Sequence, residues 1–274
     1  VQHSEFQFKK IYLILRKFSL LINIFCYIDL FKEFNFFCMS QKVIWVTGAS
    51  TGIGKEIATE FSKAGHIVVV SSRRKSRLVT LVSEIKFAGR EATAFVCNVS
   101  SERSVQLTAK RIREKYGKID CLINNAGVTI FKSFVDTKVY EYDYVLDINL
   151  RGSFLCMKSV LPQMIKLKKG HIINILSVSA NTAFEDSSIY AASKAGLLAM
   201  SNSLRSEVRR HNIKISNILP GAVETPMWDS RTRQRYKSRM MSPSDIAHIV
   251  LMMFEQPKKV AIEDLIVRPI KGDI

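Results

Sequence analysis

The sequence offers little to metal chemistry and nothing to a disulfide framework. Its 274 residues hold five cysteines and five histidines. Cys26, Cys38, Cys97, Cys121 and Cys156 are odd in number, widely spaced and set in apolar runs, and none pairs with a histidine at metal-ligand spacing. They read as reduced, packed thiols. Zinc-finger spacing, a basic-aromatic RNA motif and a recognition-helix signature are also missing. The formal net charge of +17 therefore does not by itself make a nucleic-acid binder, because a basic surface also concentrates anionic membrane or a phosphate-rich small molecule. No metal and no nucleic-acid partner are expected. Low-complexity linkers and internal repeats are absent as well. What is there is a chain with 47% hydrophobic residues, long enough to bury the core of one large domain.

Residues 1–38 contain no Gly, Ala, Pro or Thr, yet carry eight of the sixteen phenylalanines. Lys9, Lys10, Arg16 and Lys17 precede the apolar run from Phe18 to Ile28, which is the order found in a signal peptide. Asp29, Lys32 and Glu33 follow where small residues would mark cleavage, and Asn23 interrupts a run already short of the ~20 residues that cross a bilayer. Met39-Ser40-Gln41-Lys42 then leads straight into an apolar strand. The reading is an N-terminal extension at 1–38 ahead of a start at Met39, and one domain at 39–274. The alternative for the extension is an interfacial membrane anchor, so membrane contact depends on those residues being part of the native protein. The location expected for the domain is cytoplasmic.

Val43 to Val46 reads as a buried parallel strand, and Thr47-Gly48-Ala49-Ser50-Thr51-Gly52-Ile53-Gly54 separates it from a helical pattern over Lys55 to Ala64. In a strand, turn and helix unit, glycines permit a tight turn and close approach of backbone to pyrophosphate. The free N–H groups and dipole at the helix start favour negative charge. His66 to Ser71 reads as the second strand, after which a dinucleotide-binding fold usually places an acid on the ribose hydroxyls. Here the segment is Ser71-Ser72-Arg73-Arg74. No carboxylate repels a 2′-phosphate, and Arg73 offers a planar cation for phosphate or adenine. NADP(H) is therefore expected over NAD(H); the plainer reading of Arg73 and Arg74 is a solvated helix start.

The spacing Thr-Gly, three residues, then Gly-x-Gly resembles the cofactor loop of the short-chain dehydrogenases/reductases, and the resemblance runs from about Lys42 to the C-terminus. It implies an α/β fold, a Rossmann-type doubly wound parallel sheet of about seven strands with helices on both faces. It assigns cofactor contacts to Gly48, Ser50, Thr51, Gly52, Ile53 and Gly54. Asn98-Val99, after the third strand Ala92 to Cys97, stands where the family often has Asp-Val, and the Asn carbonyl can still accept from the adenine amino group. Asn124, Ala126 and Gly127 belong to Asn124-Asn125-Ala126-Gly127, which follows the strand Cys121 to Ile123 and matches a family motif. Pro220, Gly221, Val223 and Thr225 follow the strand Lys214 to Leu219, and the family pattern puts Thr225 on the nicotinamide carboxamide.

Tyr190-Ala191-Ala192-Ser193-Lys194 opens an apolar-periodic helix, and its four-residue spacing puts Tyr190 and Lys194 on one face. Carbonyl reduction needs a proton donor, and a phenol of reference pKa ~10 suits that task only when nearby cations lower it, as Lys194 is expected to do. Ser177 ends the strand His171 to Leu176 thirteen positions before Tyr190, the family's typical spacing. By resemblance Ser177 orients the substrate oxygen, Tyr190 transfers the proton, and Lys194 holds the nicotinamide ribose while tuning Tyr190. Asn149 in Asp147-Ile148-Asn149-Leu150 matches the helix Asn that positions a proton-relay water.

Between Thr225 and the helix opened by Ser242 as N-cap and Pro243 as N1 lies the segment that forms the family's substrate lid. It carries Arg231, Arg233, Arg235, Lys237 and Arg239, which read either as a clamp for an anionic substrate or as a solvated basic face. A final strand is expected over Ala261 to Val267, and its sequence is closer to the serine and 3-hydroxy acid dehydrogenase branch than to 3-oxoacyl reductases. Long helices over Tyr142 to Lys168 and Ser188 to Arg210 correspond to faces that associate in family homodimers and homotetramers. The function expected is hydride transfer between NADP(H) and a small alcohol or carbonyl; the alternative is a catalytically silent NADP-binding sensor or scaffold.

Overall fold

Short runs of β-branched residues, cut by glycine turns and followed by helical periodicity, give an alternation of strand and helix along the chain. The computed structural model describes residues 41–274; the expectations placed on residues 1–38 and Met39 lie outside the described residues. The strands β1 (Val43–Thr47), β2 (Ile67–Ser72), β3 (Ala92–Val96), β4 (Cys121–Asn124), β5 (Gly170–Ile175), β6 (Ile213–Pro220) and β7 (Asp264–Val267) form one sheet. Their order is β3-β2-β1-β4-β5-β6-β7, and every neighbouring pair is parallel. This is the expected doubly wound Rossmann-type sheet.

Successive residues of a strand point to opposite faces, and here both faces are covered. Val43, Trp45 and Leu122 pack on one side with Ala109 and Ile112 of α3 (Glu102–Tyr116), Val160 of α5 (Gly152–Leu167) and Leu197 of α6 (Ser188–Val208). Ile44, Val46 and Ile123 pack on the other with Phe61 of α1 (Gly52–Lys63), Leu81 of α2 (Lys75–Phe87) and Val250 of α8 (Pro243–Phe254). Each such buried aliphatic contributes about 1.5–3 kcal/mol. Helix α8 starts as the sequence implies. Ser242 and Asp245 form a reciprocal capping box with Pro243 at the first turn.

The helix expected over Tyr142 to Lys168 is divided. It consists of α4 (Val139–Leu146), a π-helical turn at Asp147–Arg151, and α5. Asn149 lies in that turn and spends its side chain on the backbone of Val128, a tertiary constraint that helical periodicity does not register. The last strand is shorter than Ala261 to Val267, because pairing with β6 begins only at Asp264 opposite Asn217.

A row of polar side chains crosses the sheet's interior. Asn124, Asn174, Asn217 and Asp264 occupy one register across β4, β5, β6 and β7. Each amide donates to the next residue's oxygen at 2.9, 3.0 and 2.8 Å in turn. Ser201 of α6 accepts from Asn174, and Arg205 of α6 donates to Asp264. The helix that carries Tyr190 and Lys194 is thereby fixed to the sheet by polar contacts as well as packing.

Candidate active site

The loops leaving the C-terminal ends of β1 to β6 converge on one cleft of about 1070 Å³, across the point between β1 and β4 where strand order reverses. In doubly wound sheets that crevice is where ligands bind. The glycine loop is shaped by contacts a side chain would destroy. Gly48 and Gly52 have φ of +66° and +58°. A Cβ on Gly48 would lie 2.7 Å from the Ala126 Cα, and one on Gly52 would lie 3.3 Å from Cγ2 of Thr225. Helix α1 starts behind this loop with no side-chain cap and no acid in its first turn, leaving its N–H groups to face the cleft.

Gly48, Ser50, Thr51, Gly52, Ile53, Arg73, Asn98, Val99, Ala126 and Gly127 line the cleft, as do Pro220, Gly221, Val223 and Thr225. Gly54 and Asn124 do not. Gly54 faces the side chain of Asn125, where a Cβ would collide. Asn124 is still within β4 and is turned into the sheet, donating to Asn174, whereas Asn125, one residue later, lines the cleft. Asn125 stands in the same motif, where the sequence alone assigns it no contact. Its Nδ2 donates to the carbonyls of Thr47 and Gly48 at 2.9 and 3.3 Å, and its backbone N–H donates to Thr47 Oγ1 at 3.1 Å. Strand alternation across Asn124-Asn125 was the available signal.

At the far side Arg73 and Arg74 are exposed beside the loop. Arg73 Nη2 reaches the Tyr144 hydroxyl at 3.4 Å and Arg74 Nη2 reaches Thr51 Oγ1 at 3.5 Å, so both guanidiniums border one pocket. Asn98 Oδ1 accepts from Ser100 N–H and Oγ at 3.3 and 2.9 Å.

At the near side Ser177 follows β5, while Tyr190 and Lys194 are buried one turn apart on α6. Ser177 Oγ donates to Ser179 Oγ and accepts the Ser179 N–H, both at 3.1 Å. Lys194 Nζ donates to the Ile175 carbonyl at 2.8 Å and lies 5.6 Å from the centre of the Tyr190 ring. Burial pushes the phenol up to about 12, offset in part by its hydrogen bond with Ser177. Burial also pulls Lys194 down to about 8. The phenol is thus raised where a lowering by Lys194 is expected from the sequence, because desolvation is the largest influence on it. Asn149 is fully enclosed outside the cleft lining, its Oδ1 accepting from Val128 N–H at 2.8 Å and its Nδ2 donating to Val128 O and Ser193 Oγ at 2.9 Å. The space left by the missing Cβ of Gly127 is bordered by Asn149 Oδ1 at 3.5 Å and Lys194 Nζ at 3.6 Å.

Residues 42–236 match the model of the short chain dehydrogenase family. The chain belongs to that family. It is 36% identical over 241 residues to a protein named sepiapterin reductase from Chlorobaculum tepidum, covering 85% of this chain and 98% of that protein. Among solved structures it is similar to a metagenomic short-chain oxidoreductase in complex with NADP, with 33% identity, a TM-score of 0.74, and coverage of 83% of this chain and 96% of that one. It is also similar to a variant of actinorhodin polyketide ketoreductase with NADPH, with 30% identity, a TM-score of 0.78, and coverage of 84% and 96%. This short chain dehydrogenase is an oxidoreductase, and among its described residues no helix is long and apolar enough to cross a membrane.

The outer end of the cleft in this dehydrogenase is aromatic and acidic. Phe131, Phe184, Met227 and Trp228 line it together with Glu185, Asp186, Asp229 and Asp273. Of the lid's basic residues, Arg231, Arg233, Arg235, Lys237 and Arg239, none lines it. In α7 (Ser230–Tyr236), capped by Asp229, the helical turn directs Asp229 and Thr232 inward. Lys237 pairs with Glu224, Arg235 and Arg239 lie over the Tyr236 ring, and Arg239 donates to the Asp273 carbonyl at 2.7 Å.

Proposed function

We propose that this short chain dehydrogenase is an NADP(H)-preferring carbonyl reductase and alcohol dehydrogenase in which Ser177, Tyr190 and Lys194 carry the proton chemistry. The observation that carries the proposal is the convergence of those three side chains at the near end of a cleft whose far end holds Arg73 and Arg74. The residues present fit a dinucleotide with a 2′-phosphate. Gly48 and Gly52, at positive φ, let the loop pack closely against Ala126 and Thr225 and bring its backbone to the cleft, the uncapped start of α1 suits the pyrophosphate, and two guanidiniums with Thr51 suit the extra phosphate. When bound, the reduced cofactor supplies the hydride.

The chain's own residues handle the oxygen. Ser177 Oγ donates a hydrogen bond to the carbonyl oxygen and holds it against the Tyr190 hydroxyl. Because burial keeps the phenol protonated, Tyr190 arrives loaded as an acid and gives its proton to that oxygen as negative charge develops there. The Lys194 ammonium stabilises the phenolate left behind. Asn149 holds the Val128 backbone that walls the site. In the oxidative direction each proton runs the other way.

A homodimer or homotetramer belongs to the same proposal, since Tyr142 and Phe154 are exposed on α4 and α5, around a shallow hollow shared with Gly196 and Met200 of α6.

Turnover of NADPH and NADH against aliphatic aldehydes, oxo acids, aryl ketones and pterin-borne ketones tests the reading. The pterin-borne ketones enter the panel on the similarity to a sepiapterin reductase. NADPH-dependent reduction that Tyr190→Phe abolishes is the expected result. Equal turnover by Tyr190→Phe overturns the mechanism.

A further inference from the structure

Ser177 has a hydroxyl neighbour that the proton chemistry leaves unused. Ser179, two residues on, lines the cleft beside it and is half-buried. Ser177 Oγ donates to Ser179 Oγ and accepts the Ser179 N–H, both at 3.1 Å. A serine hydroxyl carries one hydrogen and two lone pairs. Among the described residues, Ser179 Oγ accepts from Ser177 and gives its own hydrogen to no protein acceptor. Nor does the local backbone depend on that hydroxyl. The single 3-10 turn Val178–Ala180 is closed by main-chain bonds from Ala180 to Ser177 at 3.0 Å, and from Asn181 and Thr182 to Val178 at 3.0 and 2.8 Å.

Ketone binding changes this pair. Ser177 has one hydrogen, so giving it to the substrate carbonyl withdraws it from Ser179. Ser179 Oγ is then left at the cleft wall with a hydrogen to give and a lone pair to fill, next to the oxygen being reduced. A second substrate oxygen beside the first restores both. Oxygens on adjacent carbons, turned to the same side, lie about as far apart as two hydrogen-bonded oxygens, roughly 2.7–3.0 Å. That spacing matches the 3.1 Å between the two serine oxygens. A hydroxyl answers Ser179 better than an ether, because it both donates and accepts.

We propose that Ser179 is a specificity-determining residue that directs this reductase to α-hydroxy ketones and, in the oxidative direction, to vicinal diols. Ser177 takes the carbonyl oxygen, and Ser179 takes the hydroxyl on the neighbouring carbon. Hydride and proton add across the C=O, the adjoining C–OH is untouched, and the product is a vicinal diol. An analogue without that hydroxyl leaves Ser179 unmatched, which is how a hydrogen-bonding site discriminates. The proposal rests on the carbonyl-reductase reading and names the substrate class of the same site.

The test uses the full chain with NADPH and three ketones of similar size: α-hydroxyacetophenone, α-fluoroacetophenone and propiophenone. They place OH, F and CH3 at one position. Fluorine withdraws electrons from the carbonyl as the hydroxyl does but has no hydrogen to give, so it separates hydrogen bonding from electronics. Wild type is expected to prefer the hydroxy ketone in kcat/KM, at least tenfold over propiophenone and clearly over the fluoro ketone. Ser179→Ala, which keeps the N–H bond to Ser177, is expected to cut the preference over propiophenone at least fivefold.

A loss shared equally by the three ketones overturns the proposal, because Ser179 would then act only through Ser177. An unchanged preference in Ser179→Ala overturns it as well, since water would then be filling the place. If Ser179→Ala fails to fold, wild type decides: a fluoro ketone reduced as well as the hydroxy ketone overturns the proposal. If none of the three turns over, their dissociation constants for the NADP+-loaded enzyme, measured by calorimetry, are judged by the same ranking. Turnover of any carbonyl in the wider panel that Tyr190→Phe abolishes upholds the reductase reading whichever ranking is found, so the two can fail separately.

Discussion

Lys194 Nζ lies 2.8 Å from the carbonyl oxygen of Ile175, so the last residue of β5 holds the ammonium in place before any ligand arrives. The same enclosure pulls its pKa down to about 8. Lys194 is therefore charged below that pH and neutral above it. NADPH binding to the ligand-free enzyme, followed by nicotinamide fluorescence, is expected to weaken as pH rises from 7 to 9. In Lys194→Met the affinity is lower and flat over that range. A wild-type affinity that does not change between pH 7 and 9 excludes a charge role for Lys194 in binding.

The paired guanidiniums at the far end of the cleft make the cofactor preference measurable. Charge-assisted hydrogen bonds of the kind Arg73 and Arg74 offer a phosphate contribute about 1.5–3 kcal/mol each. Arg73→Ala is expected to raise the Kd for NADPH roughly 10- to 100-fold with little change for NADH, and Arg74→Ala to do the same more weakly. Equal losses for the two cofactors would mean that the arginines read the shared adenosine portion.

Asn149 satisfies both the N–H and the C=O of Val128. Asn149→Ala leaves two enclosed backbone groups unmatched, at about 1–3 kcal/mol each. Urea unfolding should show a loss of about 2–6 kcal/mol, and the wall beside Gly127 should loosen. A loss under about 1 kcal/mol would mean that water replaces the side chain.

Acid should unfold this protein through its buried histidines. Burial pulls His171 from 6.5 to about 3, and burial lowers His66, packed between Phe61 and Phe254 with no protein partner on either ring nitrogen. Each folded-state value lies below the unfolded one. As pH falls through 6.5 toward 3, the unfolded chain takes up protons that the folded chain refuses, so stability declines by up to about 1.4 kcal/mol per pH unit for one histidine. Urea midpoints at pH 7, 6, 5 and 4 should fall steeply in wild type and less so in His171→Gln. Parallel slopes would assign the acid loss elsewhere.

Much of this was legible in the sequence because it is local. The strand, glycine turn and helix around Gly48 follow from residues next to one another, as does the shared face of Tyr190 and Lys194. What escaped depends on partners far along the chain. The π turn exists where Asn149 meets Val128, twenty-one positions away. Asn125 and Asn124 read alike until the end of β4 decides which faces the cleft. The lid's arginines leave a clamp and a solvated face equally open, because composition counts side chains without their direction; at the start of α7 the positions that line the cleft fall to Asp229 and Thr232. Asp273, paired through Arg268 and Arg239 with segments remote from it in sequence, carried no local signal at all.

The row Asn124, Asn174, Asn217 and Asp264 has a bearing on how the sheet assembles. Aliphatic strands are nearly interchangeable along their length, and a parallel pair displaced by two residues would still bury valine against isoleucine. An amide has no such tolerance, since the same displacement would strand it among hydrocarbon with its bonds unmade. The four polar side chains therefore act as the teeth of a key: they contribute little net attraction, but only one alignment of β4 through β7 turns the lock. Because each tooth answers the next, a lone change to leucine should cost more than a concerted exchange of neighbours, and drift at these positions is expected to occur in pairs.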